Sequence, residues 1–321
     1  AKDVGDLTRW FCAGLEQAQK KARPTLGGLM RALAPGGRRA PAPGFALRDG
    51  RLDATGPEVF DADPVAMLRL FDEGLRTGAL VHPNAMRMIA ARLDRIDDAL
   101  RADREANAIF LRLLCRSADP ERALRRMNEC GLLGRFVPQF GRVVSMMQFN
   151  MYHHYTVDEH TILAVAELRA LEDGALVEHL PVATDIVKAG FDRDVLYTAL
   201  FLHDIGKGLP QDHSEVGAQV ARDLCPRFGL DASQTGMVEW LVRHHLLMSD
   251  TAQKRDISDP RTVRAFADMV RSPERLRLLT VLTACDIRAV GPGVWNNWKA
   301  QLLRTLYWDT RALLTGGAER L

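Results

Sequence analysis

The run Val195-Leu196-Tyr197-Thr198-Ala199-Leu200-Phe201-Leu202 constrains this chain more than any other stretch, because it leads directly into His203-Asp204. A helix so nearly apolar has no polar face to offer solvent and is buried on most sides. It falls far short of the roughly 20 residues needed to span a bilayer, so protein must cover it. It therefore delivers an imidazole and a carboxylate to an interior, where an unpaired charge costs several kcal/mol and something must compensate it. A second segment, Leu276 to Arg288, is again mostly apolar and carries Asp286 near its C-terminal half. There the helix dipole and desolvation both disfavour a carboxylate.

His153, His154, His160, His203, His213, His244 and His245 crowd into residues 153–245, whereas the chain upstream holds only His82. Two buried acids and several histidines on apolar helices are what a divalent metal site in a helical bundle requires, since each ligand must be deprotonated and rigidly held. The plainer reading pairs Asp204 with Lys207 as a structural ion pair and leaves His203 as a satisfied core histidine. For either residue alone that reading is the better one; the second buried acid favours the metal.

Elsewhere the periodicity is helical. Residues 1–22 read as one amphipathic helix (Leu7, Trp10, Phe11, Leu15, Ala18), and residues 23–44, rich in Pro, Gly and Arg, read as a flexible linker. Phe45 to Leu52 carries an Asp-Gly pair and reads as a small hairpin or a turn. Within residues 45–150 a helical bundle is expected. Asp63-Pro64 should open a helix with the stripe Met67, Leu68, Phe71 and Leu75 that stops at Gly78. Met86, Ile89, Leu93, Ile96 and Leu100 continue the period, and Asp119-Pro120 opens a helix that closes at Gly131. His82, before Pro83, is expected as a cap or surface residue. The last region, 151–321, holds the metal chemistry.

The 43 basic and 41 acidic residues leave a net charge of +2, which gives no electrostatic reason to expect nucleic acid or an anionic membrane surface as partner. No secretory signal is visible. Cys12, Cys115, Cys130, Cys225 and Cys285 are odd in number, lie far apart and form no C-x-x-C pair, which fits a reducing, cytoplasmic setting. The chain opens on Ala1-Lys2-Asp3-Val4 and stops at Gly317-Ala318-Glu319-Arg320-Leu321, as expected of a piece of something longer.

His160, then His203-Asp204-Ile205-Gly206-Lys207, then Asp286, is an order that resembles the HD superfamily of metal-dependent phosphohydrolases, all-α proteins that hold a metal at those positions. A narrower likeness rests on Met147-Gln148-Phe149, Tyr155 to Ile162, Asp212-His213-Ser214 with Gly217-Ala218, His245 to Ser249, and Trp295 to Lys299. These strings resemble the bifunctional uridylyltransferase/uridylyl-removing enzymes of the PII nitrogen-regulatory protein. The resemblance implies an all-α helical bundle followed by an HD phosphohydrolase domain, with 1–22 as the helical tail of a transferase-associated region. It also implies that the nucleotidyltransferase domain and the ACT domains that sense glutamine are absent from this chain, so glutamine regulation is expected only through those absent domains.

By the same resemblance, His160, His203, Asp204 and Asp286 hold one divalent ion, and His213 and His245 a second, with Asp204 bridging. The string favours His245 over the adjacent His244, which points about 100° away on a helix. Mn²⁺, Mg²⁺ or Fe²⁺ suits such ligands, as one ion or two. Asp204 and Lys207 are the expected catalytic residues: metal-activated water attacks the phosphodiester joining UMP to a tyrosine of PII, and Lys207 steadies the charge that develops on phosphate. Lys207 also reads as a solvated helix-end lysine. Arg288 reads equally as a phosphate grip or an ion pair. Trp295 and Trp298, at i and i+3, read first as core and second, with Lys299, as a stacking surface for uracil or tyrosine; His153, His154 and His179 read as surface or supporting residues. Two rivals remain: an HD hydrolase acting on another nucleotide or phosphodiester, and a non-catalytic regulatory HD module.

Overall fold

The structure is a computed structural model, and it describes residues 40–147 and 155–316. The expected helix of residues 1–22, most of the linker over 23–44, Cys12, Gln148-Phe149, His153 and His154 lie outside the described residues. What is described is all-α apart from one two-stranded antiparallel sheet and isolated bridges. It divides into two compact units, residues 40–113 with 123–137, and residues 114–122 with 138–316.

In the first unit the Asp-Gly pair makes the hairpin: β1 (Phe45–Arg48) pairs with β2 (Arg51–Ala54) around Asp49 (φ 52°) and Gly50 (φ 74°). Two successive positive φ angles match the right-handed strand twist, and few residues besides Asn, Asp and Gly accept them. The end of the Pro/Gly stretch is held here as well, since the Ala42 amide donates to Glu73 Oε1 at 2.9 Å and Arg76 Nη2 donates to the Ala40 carbonyl at 2.7 Å. Helix α1 (Glu58–Ala62) precedes α2 (Ala66–Thr77). Asp63 is not the N-cap of α2, which begins three residues later. Its Oδ1 instead accepts the Val65 amide at 3.0 Å in the tight turn through Pro64. Gly78 ends α2 in the left-handed conformation, as expected.

The apolar period from Met86 to Leu100 does not form one helix. It is cut into α3 (Pro83–Ala90), a 3₁₀ turn (Leu93–Arg95) and α4 (Asp98–Ala102). Asp97 is the physical reason: its side chain accepts the Leu100 amide at 2.9 Å and starts a new helix. Met86, Ile89, Ile96 and Leu100 are nonetheless buried, so the pattern marks the core correctly while missing the breaks. Helices α5 (Arg104–Cys115), α6 (Pro120–Glu129) and α7 (Leu132–Phe136) follow. Asp119 Oδ1 accepts the Arg122 amide at the start of α6, and Gly131 follows its end at φ 82°.

The second unit runs through α8 (Pro138–Val143), α9 (Val157–Glu172), α10 (Pro181–Lys188), α11 (Arg193–Leu202), α12 (His213–Phe228), α13 (Ala232–Arg243), α14 (Leu247–Lys254), α15 (Pro260–Val270), α16 (Pro273–Ala289) and α17 (Asn297–Leu314). Helix α11 is its axis, packed against α9, α13 and α16, and no residue from Val195 to Leu202 is more than 3% exposed. At about 1.5–3 kcal/mol for each large apolar side chain removed from water, this helix is a main source of the unit's stability. Asp192 starts it, accepting the Val195 amide, and caps of the same kind start α12 (Asp212), α13 (Asp231), α15 (Asp259), α16 (Ser272) and α17 (Asn296).

One close approach positions the site. A Cβ on Gly206 would lie 2.2 Å from the His213 carbonyl oxygen and 2.9 Å from the Gly217 nitrogen. Only glycine lets the chain after His203-Asp204 rest directly on the first turn of α12.

Candidate metal centre

Six side chains from five parts of the second unit converge. His160 comes from the first turn of α9, His203 caps the C-terminus of α11 and Asp204 follows it. His213 opens α12, His245 lies just beyond α13, and Asp286 sits in the last turns of α16. They form two groups able to hold a metal ion, His160 with His203 and Asp286, and Asp204 with His213 and His245. His160, His203, Asp204 and His245 are 2% exposed or less, while the side chains of His213 (25%) and Asp286 (15%) open toward solvent.

In the first group His160 Nε2 lies 3.2 Å from His203 Nε2 and 3.0 Å from Asp286 Oδ1. In the second, His213 Nε2 lies 3.4 Å from His245 Nε2. Asp204 faces both groups with different oxygens. Its Oδ2 is 3.4 Å from His203 Nε2 and 3.6 Å from His160 Nε2, and its Oδ1 is 3.7 Å from His245 Nε2 and 3.9 Å from His213 Nε2. Lys207 Nζ donates to Asp204 Oδ2 at 2.6 Å.

The backbone sets the ring tautomers. His203 Nδ1 lies 2.7 Å from the Leu200 carbonyl and His245 Nδ1 lies 2.7 Å from the Val242 carbonyl. A carbonyl only accepts, so both Nδ1 atoms carry hydrogen and each neutral ring presents an Nε2 lone pair inward. Lone pairs facing buried carboxylates require a positive charge among them. With no ion, a proton supplies it. Although burial opposes this, Asp204 and Asp286 raise His203 to about 10, while burial and the His203 charge push His245 down to about 4. Burial works against the charge of Asp204 and Asp286, yet His203 and His160 hold both well below the ordinary carboxylate range, with Lys207 adding to the effect on Asp204. Burial also lowers His213. Nitrogen and oxygen donors of this type, with second nitrogens anchored on backbone carbonyls, fit a divalent cation.

Every metal-site residue expected from the sequence, His160, His203, Asp204, His213, His245 and Asp286, is thus brought to one place with Lys207. His244 is not: its ring packs on Trp240 at 4.9 Å. His82 is the cap of α3, accepting the Asn84 amide at 3.0 Å, but it is buried rather than on the surface. Arg288 donates from Nε to Glu167 Oε2 at 2.6 Å. Trp298 is 59% exposed, which corrects its first reading as core. Trp295, Arg288 and His179 instead line a separate cavity with Tyr155, Glu167 and Arg304. Glu167 was missed at the sequence level, although its spacing of seven from His160 puts both on one face of α9. The four described cysteines are free and buried, and no helix among the described residues is long and apolar enough to cross a membrane.

Residues 157–286 match the family described as HD domain, and residues 45–136 match the uridylyltransferase GlnD third domain. The chain is 58% identical over all 321 residues to a bifunctional uridylyltransferase/uridylyl-removing enzyme of Cereibacter sphaeroides, of which it covers 34%. It is 57% identical over the same 321 residues to the enzyme of that name from Ruegeria pomeroyi, covering 35%. The chain thus spans about a third of the length of these curated relatives. A region that matches the GlnD third domain is thus followed by one that matches the HD domain, and the chain is similar along its whole length to part of these bifunctional uridylyltransferase/uridylyl-removing enzymes.

Proposed function

We propose that this chain carries the uridylyl-removing activity, the metal-dependent hydrolysis of the phosphodiester between UMP and a tyrosine of the PII signal protein, through an HD domain spanning about 151–321. The observation that carries the reading is the two-sided use of Asp204, whose oxygens face His160 and His203 on one side and His213 and His245 on the other. His160, His203, Asp204 and Asp286 would hold one ion, and His213 and His245 a second that Asp204 shares, with Mn²⁺, Mg²⁺ or Fe²⁺ as the cation. When bound, such ions neutralise phosphoryl oxygens and activate water for attack on phosphorus.

The chain's own residues supply the rest. The Leu200 and Val242 carbonyls lock the His203 and His245 rings, so the donor atoms need no reorganisation. Lys207, held at the rim of the cluster by Asp204, places an ammonium where negative charge grows on phosphate. The tyrosine leaving group, a phenol of pKa about 10, asks little of a general acid. The identity to enzymes named for uridylyl removal and the free, buried cysteines support this substrate and a cytoplasmic setting.

The test is release of UMP from uridylylated PII by the Mn²⁺-loaded chain, run beside bis(p-nitrophenyl) phosphate. Release of UMP is expected. Turnover of the generic diester alone would overturn the substrate, and no turnover together with no bound metal would overturn the enzyme.

A further inference from the structure

A cavity of about 530 Å³ lies in the second unit between α9, the C-terminal end of α16 and the start of α17. It lies within the range of about 300–1,000 Å³ usual for small-molecule sites. Its walls continue the helices that carry the metal cluster. Leu163 is one helical turn after His160, and Arg288 and Ala289 follow Asp286 by two and three residues. One turn is about 5.4 Å of rise, so the cavity begins within one nucleotide's reach of the cluster.

Resting on the function proposed above, we propose that this cavity binds the uridine part of the substrate. The indole of Trp295 offers a stacking face, and it also lines a second, small apolar cavity together with Ala284 and Leu303. Asn297 brings an amide, both donor and acceptor, which matches the imide edge of uracil. Asn296 is less suited, because its Oδ1 already accepts the Lys299 amide as the cap of α17. Glu178 offers an acceptor for ribose hydroxyls, while Arg304 and Arg288 offer guanidinium donors for phosphate. Glu167 bonds one of the five N–H donors of Arg288, leaving the others for phosphate. An aromatic face, an amide, a carboxylate and two guanidinium groups around one cavity are the partners a nucleoside monophosphate needs, whereas a docked peptide would call for an apolar slot or a strand edge.

The test is calorimetric binding of UMP and of ribose 5-phosphate to the Mn²⁺-equilibrated chain. UMP should bind at least about tenfold tighter, as base stacking on an aromatic ring predicts. Trp295→Ala and Asn297→Ala should each erase most of that difference and Trp295→Phe should keep it, with ribose 5-phosphate binding and bis(p-nitrophenyl) phosphate hydrolysis within about twofold of the unaltered chain. Equal binding of the two probes, or variants that bind UMP unchanged, overturns the pocket. So does a Trp295→Ala chain whose KM for uridylylated PII rises while its affinity for free UMP is unchanged, since the cavity would then receive the protein. Hydrolysis of uridylylated PII with base-independent UMP binding removes the pocket and leaves the function; base-dependent UMP binding without that hydrolysis does the reverse.

Discussion

Both units bury an aspartate beside a histidine, and they treat it in opposite ways. In the first, Asp53 is 1% exposed and surrounded by ordinary donors. The Ala54 amide is at 3.0 Å, Asn84 Nδ2 at 3.3 Å and Arg48 Nη1 at 3.0 Å, while His82 uses its Nδ1 to cap α3. That carboxylate is complete as it stands. In the second, Asp204 and Asp286 meet imidazole Nε2 atoms, and Asp204 also meets the Lys207 ammonium. A buried acid with fixed hydrogen donors is a structural device, whereas buried acids facing lone pairs call for a cation.

The contrast breaks most sharply at Asp204. Asp204→Ala or His203→Ala should abolish phosphodiester hydrolysis and lower metal content measured by elemental analysis, with helical circular dichroism retained; unchanged turnover in either would refute the site. Lys207→Ala tests the catalytic assignment apart from the metal. Turnover should fall roughly 10²–10³-fold with metal stoichiometry unchanged, as when a charge-stabilising donor is removed. If the lysine is only Asp204's structural partner, stability will move and turnover will not.

Asp53→Ala should do the converse. Leaving the buried donors around it unsatisfied should cost about 1–3 kcal/mol in denaturant unfolding, with no change in metal content or in Mn²⁺-dependent turnover. Metal loss from this variant would dissolve the distinction between the two aspartates.

The smallest effect lies in pH. In metal-free protein His203 is raised above its ordinary 6.5 to about 10. Its imidazolium therefore stabilises the fold fully below about pH 6.5, and the contribution fades as pH rises toward 10. Depressed His245, at about 4, acts in the other sense: its contribution is present above about pH 6.5 and is lost as pH falls through 4. Chelator-treated protein should thus lose stability between pH 7 and 10, and Mn²⁺ should abolish that loss. Titration of Mn²⁺ at pH 8 should release close to one proton, visible as a buffer-dependent heat in calorimetry. Identical pH profiles with and without metal would show that His203 does not carry the proton.

Much of this was legible from residues alone, wherever the signal was local. Val195–Leu202 announced a buried helix because no face of it is polar, and Gly78 and Gly131 announced helix ends, whereas Asp49-Gly50 left a hairpin or a turn open and the two positive φ angles of the structure settle the hairpin. Local signals also failed locally. Asp97 divides an unbroken apolar period, because a side chain that bonds the backbone outweighs a pattern that records only burial. Trp298 shares its spacing from Trp295 with countless core pairs but faces solvent, and spacing cannot say which side of a helix a neighbour covers.

The sequence by itself determined that the fold is helical, which helices are buried, and that His203, Asp204 and Asp286 enter an interior at a cost that needs compensation. Those are properties of neighbouring residues and of transfer from water. Tertiary structure alone decided that Asp204 divides its two oxygens between two groups, that the Leu200 and Val242 carbonyls fix the rings, and that Arg288, Trp295 and Arg304 share a cavity. Each depends on where helices distant in sequence cross, and the nearest chain neighbour carries no record of that.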